Sequence, residues 1–392
     1  MFKKLKLIRK ISGIALCAAV MMTGCTRVDE RPVESTDILQ NYSTDWTEDS
    51  YVSPVYASLT DEEKVLYDKV KESVENFEEY AEFDNAVSRE TARKIYKLVY
   101  AQERKYFWLS SIFYAPEAEV QQLKLSYLYE KDDAEMKRAE LDLAASEIVG
   151  GISEKASDFD KVVYFHDRIV TGCQFSQTAE HVNSAYGVLV KGEGQCEGYA
   201  SAMSILCDKA GIINYTVCGT NPEGVTHAWN KILLDGKWYN SDCTWDDPIL
   251  KRNNPDFVRH DCLLVMDSEI EGKTHFTDTE LYSNLPVCDS SDLNYFAGKN
   301  LIYDSAGDAA AAIREQIKTA GLAGKREAEL RLSNESAYFA AMSRLFDGGE
   351  IKSIIEDVNG EYGTKIRSAY KHNNETMHII HISLIYEGEE EK

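Results

Sequence analysis

Three side chains of this chain have the types and order needed to break an amide bond: Cys196, His227 and Asp242. Cys196 lies in the stretch Gly194-Gln195-Cys196-Glu197-Gly198, just ahead of residues able to wind into a helix. A thiol is a weak nucleophile until it loses its proton. The partial positive charge at a helix N-terminus and a neighbouring imidazole both favour that loss. The flanking glycines allow a sharp turn and leave room for a substrate backbone. On its own the position is more often that of a packed thiol, because free cysteine is among the most buried residue types.

The elements that follow decide between the two. A helix is expected from Gly198 to Ala210, stopped by Gly211, then an apolar strand from Ile212 to Cys218. Two further strand-like runs, His227 to Leu234 and Lys237 to Trp245, are joined by Asp235-Gly236, a strong hairpin signal. If those two residues form the loop, Leu234 faces Lys237, Trp229 faces Asp242 and His227 faces Thr244. His227 and Asp242 then share one face as diagonal neighbours, about 7 to 8 Å apart at the backbone, a gap their side chains can close. A carboxylate so placed holds an imidazole in one tautomer and stabilises its cation. A shift of one residue would send the two to opposite faces.

The wider motifs carry a family likeness. Gly194-Gln195-Cys196-Glu197-Gly198-Tyr199-Ala200, Gly211-Ile212, His227-Ala228-Trp229-Asn230, and Gly236-Lys237-Trp238-Tyr239 with Asp242 and Thr244-Trp245-Asp246-Asp247-Pro248 resemble the transglutaminase-like domain of bacterial exported proteins. The likeness covers roughly residues 155 to 300. It implies an α+β, papain-like core in which the helix bearing the nucleophile packs on an antiparallel sheet. It also implies Cys196 as nucleophile, His227 as general base and acid, and Asp242 as the orienting group. Trp229, Tyr199, Trp238 and Trp245 are read chiefly as packing around the site, and Trp229 is the one of them put forward as a substrate contact to test. The amphipathic segment Ser157 to Val170 reads as a helix, with His166 and Asp167 structural. No CxxC pair or Cys/His spacing of a zinc site occurs, so neither a metal nor a cofactor is expected.

The ends of the chain speak to location. Lys3, Lys4, Lys6, Arg9 and Lys10 precede the apolar run Ile11 to Met22, which is short for a membrane span and has the form of an export signal. Met22-Thr23-Gly24-Cys25 resembles the bacterial lipobox, which implies cleavage after residue 24 and lipidation of Cys25. Loss of the five basic residues takes the formal charge from -23 to -28, which argues against a nucleic-acid partner. Of nine cysteines, seven remain after Cys17 and Cys25, and an odd number in an exported chain leaves at least one free thiol.

The chain is accordingly divided into a signal (1–24), a polar linker (25–54), a helical region (55–150), the transglutaminase-like domain (151–305) and a small α/β domain (306–392). Thr60 with Glu63 suggests a capping box at the first helix. The expectation is a thiol enzyme lipid-anchored on the extracytoplasmic face of the cell membrane. It would form a Cys196 thioester from a protein or peptide substrate and pass the acyl group to water or an amine. The alternative is a non-catalytic cell-surface binding or scaffold protein on the same fold. No oligomeric state is assigned.

Overall fold

A computed structural model describes residues 53–115, 117–247 and 258–388. The signal, Cys25, the linker up to Val52, Pro248 and the last residues of the acidic tail lie outside them. Among the described residues no helix is long and apolar enough to cross a membrane.

The fold is α+β, and its N-terminal part begins with helix α1 (Asp61–Glu75). The expected capping box forms there: Thr60 Oγ1 accepts from the Glu63 N-H at 3.2 Å, and the Glu63 carboxylate accepts from the Thr60 N-H at 3.0 Å. Next come β1 (Tyr80–Ser88), α2 (Arg89–Gln102), β2 (Glu119–Lys124) and α3 (Lys131–Gly150). β1 and β2 pair antiparallel, a small sheet within a region read from sequence as helical. Helix α4 (Asp158–Gly172) follows and buries Phe159, Val162, Phe165 and Ile169.

Helix α5 spans Cys196–Lys209, starting two residues earlier than the sequence suggests. Gly211, at φ 72°, lets the chain turn back, and the Ile212 N-H reaches the Cys207 carbonyl at 2.8 Å. Strands β3 (Asn214–Thr220), β4 (Thr226–Leu234) and β5 (Lys237–Ser241) form the centre of a five-stranded antiparallel sheet. β6 (Leu263–Val265) and β7 (Phe276–Thr277) close its two edges. Asp235 and Gly236 both have positive φ, 49° and 75°, as a two-residue hairpin turn of matching twist requires.

The register is the expected one from Leu234↔Lys237 out to Asn230↔Ser241. There the ladder ends. Asp242 leaves the sheet and caps the short helix α6 (Cys243–Asp246), so the expected pairs Trp229 with Asp242 and His227 with Thr244 do not form. The reason is local: the Asp242 carboxylate accepts the N-H groups of Thr244 and Trp245, which rewards a helical turn over further strand.

One apolar core, from Val55 in the N-terminal part to Phe296 with Met377 and Ile379 added, joins α1 to α5 and the central sheet. A second core belongs to the C-terminal part. There, helices α7 (Ala306–Ala323), α8 (Glu335–Met342) and α9 (Glu350–Tyr362) accompany a four-stranded sheet. Its strands, in spatial order, are β8 (Ile302–Tyr303), β9 (Glu327–Leu332), β11 (Ile379–Tyr386) and β10 (Ile366–Asn374).

Candidate active site

Cys196 occupies the first turn of α5, half-buried, with its Sγ 4.0 Å from the Thr226 carbonyl at the start of β4. A first-turn N-H has no acceptor within its own helix. The Cys196 N-H is therefore placed to donate to an oxygen next to the sulfur. β4 is clamped to α5 by Asn230, whose side-chain amide donates to the Ala200 carbonyl at 3.0 Å and to Ser204 Oγ at 2.9 Å. That clamp fixes the strand carrying His227 against the helix carrying Cys196. At the other side of α5, the Tyr100 hydroxyl donates to Glu197 Oε2 at 3.0 Å, so α2 holds the residue next to the cysteine.

His227 and Asp242 meet as the side-chain argument anticipates, by a different backbone route. His227 Nε2 lies 2.6 Å from Asp242 Oδ2, and both residues are buried. That leaves Nδ1 of the same ring for the cysteine side, and Cys196 is among the groups that hold the His227 proton. Burial pushes the His227 pKa down, but the Asp242 charge and hydrogen bond together with Cys196 outweigh it and raise the value to about 10. For Asp242, burial alone would raise the pKa. The His227 and His275 partners overcome it and hold the carboxylate ionised, well below the usual range.

His275 was not visible as a site residue in the sequence. It is fully buried, and its Nε2 lies 2.8 Å from the same Asp242 Oδ2, while its Nδ1 is 2.9 Å from Thr274 Oγ1. Asp242 Oδ1 accepts the N-H groups of Thr244 at 2.8 Å and Trp245 at 3.3 Å. Four donors thus converge on one buried carboxylate, which fixes its rotamer as well as its charge. His275 stands 33 residues beyond Asp242, outside every motif quoted above, and no periodicity points to it.

Trp229 is packed, and not placed as the substrate contact put forward for it. It is 1% exposed, its indole N-H donates to Asn240 Oδ1 at 3.2 Å, and its ring stacks behind His227 with centroids 6.0 Å apart. A side chain so enclosed backs the imidazole and does not touch a substrate. Tyr199 is packed too, with its hydroxyl on Asp247. The Trp245 ring lies tilted against both His227 and His275.

None of the seven cysteines among the described residues is joined in a disulfide. Burial pushes up the thiols of Cys207, Cys218, Cys243, Cys262 and Cys288. Cys196 differs from them in standing beside an imidazole.

No curated protein matches the chain. Three solved structures resemble parts of it. One is a candidate cysteine protease from Cytophaga hutchinsonii, at 22% identity over 28% of this chain and 38% of that one, TM-score 0.23. Another is a TGase, at 17% identity over 42% of this chain and 50% of that one, TM-score 0.25. The third is menin, at 12% identity over 78% of this chain and 58% of that one, TM-score 0.24. The chain thus spans 38 to 58% of the length of these structures. The family model described as the transglutaminase-like superfamily matches residues 144–243. Cys196, His227 and Asp242 all fall within that span, and the chain therefore carries a transglutaminase-like domain.

Proposed function

We propose that this chain is a thiol enzyme that cleaves or transfers amides of a peptide or protein through Cys196. The 2.6 Å contact between His227 Nε2 and Asp242 Oδ2, made beside the helix end that carries Cys196, is the observation that supports the reading most. In this mechanism the Cys196 proton passes to His227, and the thiolate attacks the amide carbonyl carbon. The Cys196 N-H donates to the oxyanion that forms. His227 then returns the proton to the departing nitrogen, the C-N bond breaks, and a thioester remains on Cys196. Water or an amine, deprotonated by His227, attacks the thioester and frees the thiol. Asp242 orients the imidazole throughout and stabilises its cation without taking the proton.

The same proposal places the protein on the outer side of a cell membrane. Its basis is the sequence Lys3 to Cys25, read as an export signal ending in a lipidation site.

Alkylation tests the chemistry. The full chain is treated with iodoacetamide between pH 5 and 10, and labelled cysteines are mapped by mass spectrometry. Cys196 should label first, and His227→Ala should slow it at least about tenfold near pH 7, where an isolated thiol holds only a few per cent thiolate. Equal labelling of Cys196 and Cys218, or an unchanged rate in His227→Ala, rejects the proposal. Incorporation of a tagged amine, set against new peptide termini, then separates transfer from hydrolysis.

A further inference from the structure

A second cluster lies where α4, α6 and the segment before β6 meet the C-terminal sheet. His166 and Asp167 are neighbours on α4, and His260 precedes β6. Asp167 Oδ1 stands 3.2 Å from His166 Nδ1 and 2.9 Å from His260 Nε2, and one donor atom from each of the three residues lies within 4.8 Å of the other two. Adjacent helix positions do not ordinarily face each other. They converge here because His166 contributes the ring nitrogen nearer its backbone.

The far nitrogens of both rings are held as well. His166 Nε2 is 3.1 Å from Asp246 Oδ2, and that fully buried carboxylate is fixed by the Cys262 N-H at 3.0 and 3.1 Å. His260 Nδ1 is 2.8 Å from Glu329 Oε1 on β9, while Tyr295 stacks on the His260 ring at 3.7 Å and donates to the same carboxylate. Carboxylates beside the outer nitrogens let both rings turn their inner lone pairs toward a cation that displaces the inner protons. Two ring nitrogens and a carboxylate oxygen converge at hydrogen-bond separation, a space that ring protons fill when no ion is bound. Such a convergence calls for positive charge between the three atoms.

We propose that His166, Asp167 and His260 bind a divalent transition-metal ion, and that Zn2+ suits the set. Two imidazoles and one carboxylate are donors of the right class for zinc, with bonds of about 2.0 to 2.2 Å. Ligand atoms on a tetrahedron of that size are about 3.4 Å apart, a few tenths of an ångström beyond the two separations seen here. The His166 and His260 rings are buried, whereas the Asp167 side chain is 42% exposed, which gives the ion an entry path and leaves coordination positions for water. The outer carboxylates Asp246 and Glu329 belong to α6 and to β9, so a bound ion would tie the short helix beside Asp242 to the C-terminal sheet. The site does not depend on the thiol chemistry proposed above. The other buried His/Asp cluster, at Asp242, is a poorer candidate because four N-H donors already occupy that carboxylate.

The test is a Zn2+ titration of the full chain, stripped with a chelator, against a chromophoric competitor. Co2+ absorption reports the coordination, and the thermal midpoint is followed in parallel. One equivalent of Zn2+ should bind and raise the midpoint. Asp167→Ala, at a half-exposed position, and His166→Gln should each weaken binding at least tenfold and remove the midpoint shift, while Cys196→Ala should keep both. Absence of binding in the parent chain overturns the proposal. So does undiminished binding in folded Asp167→Ala and His166→Gln, or its loss in Cys196→Ala, which would move the ion to the thiol site.

Discussion

At the scale of single residues, Asp242 is the group on which the candidate site turns. Its two oxygens receive His227, His275 and the N-H groups of Thr244 and Trp245. Asp242→Ala leaves buried donors and a cation without a partner. It is expected to lower the unfolding free energy by about 3 to 5 kcal/mol, measured by denaturant titration. His275 meets the His227 ring edge-on, with centroids 5.2 Å apart, and shares this carboxylate with it, as a positioning residue. His275→Phe keeps a ring but removes a donor from Asp242 Oδ2, so more of the negative charge serves His227, and the pH at which His227 gives up its proton rises. The upper limb of the pH profile for Cys196 alkylation should move to higher pH in His275→Phe and return toward the parent in His275→Gln, which restores an N-H donor. The His227 proton also links pH to stability. Its pKa is raised from an ordinary 6.5 to about 10, so the contribution is complete below pH 6.5 and is lost as pH climbs through about 10. Unfolding free energies of the parent and His227→Gln should therefore converge across that interval.

Among the elements, the hairpin shows what the sequence carries and what it omits. Asp235-Gly236 and the alternating strands were enough to set the register, because that turn tolerates few residue types and the buried face tolerates no slip. The same reasoning brought His227 and Asp242 together, yet by extending a ladder that stops at Ser241. The short helix after it forms because Asp242 satisfies two backbone donors, a local competition that strand periodicity does not report. His275 was illegible for another reason: its place is set by tertiary packing against Trp229 and Trp245. Packing was the main reading of Trp229, but its full enclosure was not legible, because a motif position gives no burial. β7, just after His275, packs on Gly219 so closely that a Cβ there would sit 2.1 Å from the Phe276 carbonyl. Gly219→Ala should cost about 1 to 3 kcal/mol by thermal or chemical unfolding and should slow Cys196 alkylation, since the strand that moves carries its neighbour His275 with it.

For the molecule as a whole, the N-terminal part is more than a preface. Gln102 donates to the Thr216 carbonyl at 2.8 Å and Arg104 to Thr216 Oγ1 at 3.2 Å, so α2 and the turn after it brace β3 from behind. With one apolar core spanning both regions, a chain beginning at residue 151 would expose the face that α2 covers. It should lose cooperative unfolding by circular dichroism, whereas the full chain keeps it. The absence of disulfides among the described cysteines bears on a different property of the whole. Reductant should leave the unfolding midpoint unchanged, because no described cysteine is crosslinked. Five of the other thiols are kept protonated by burial, so an oxidant such as peroxide would act first at Cys196, through a sulfenic acid that a reductant can still reverse. The chain would then lose its chemistry well before its shape, and its sensitivity to oxygen would reside in one sulfur atom.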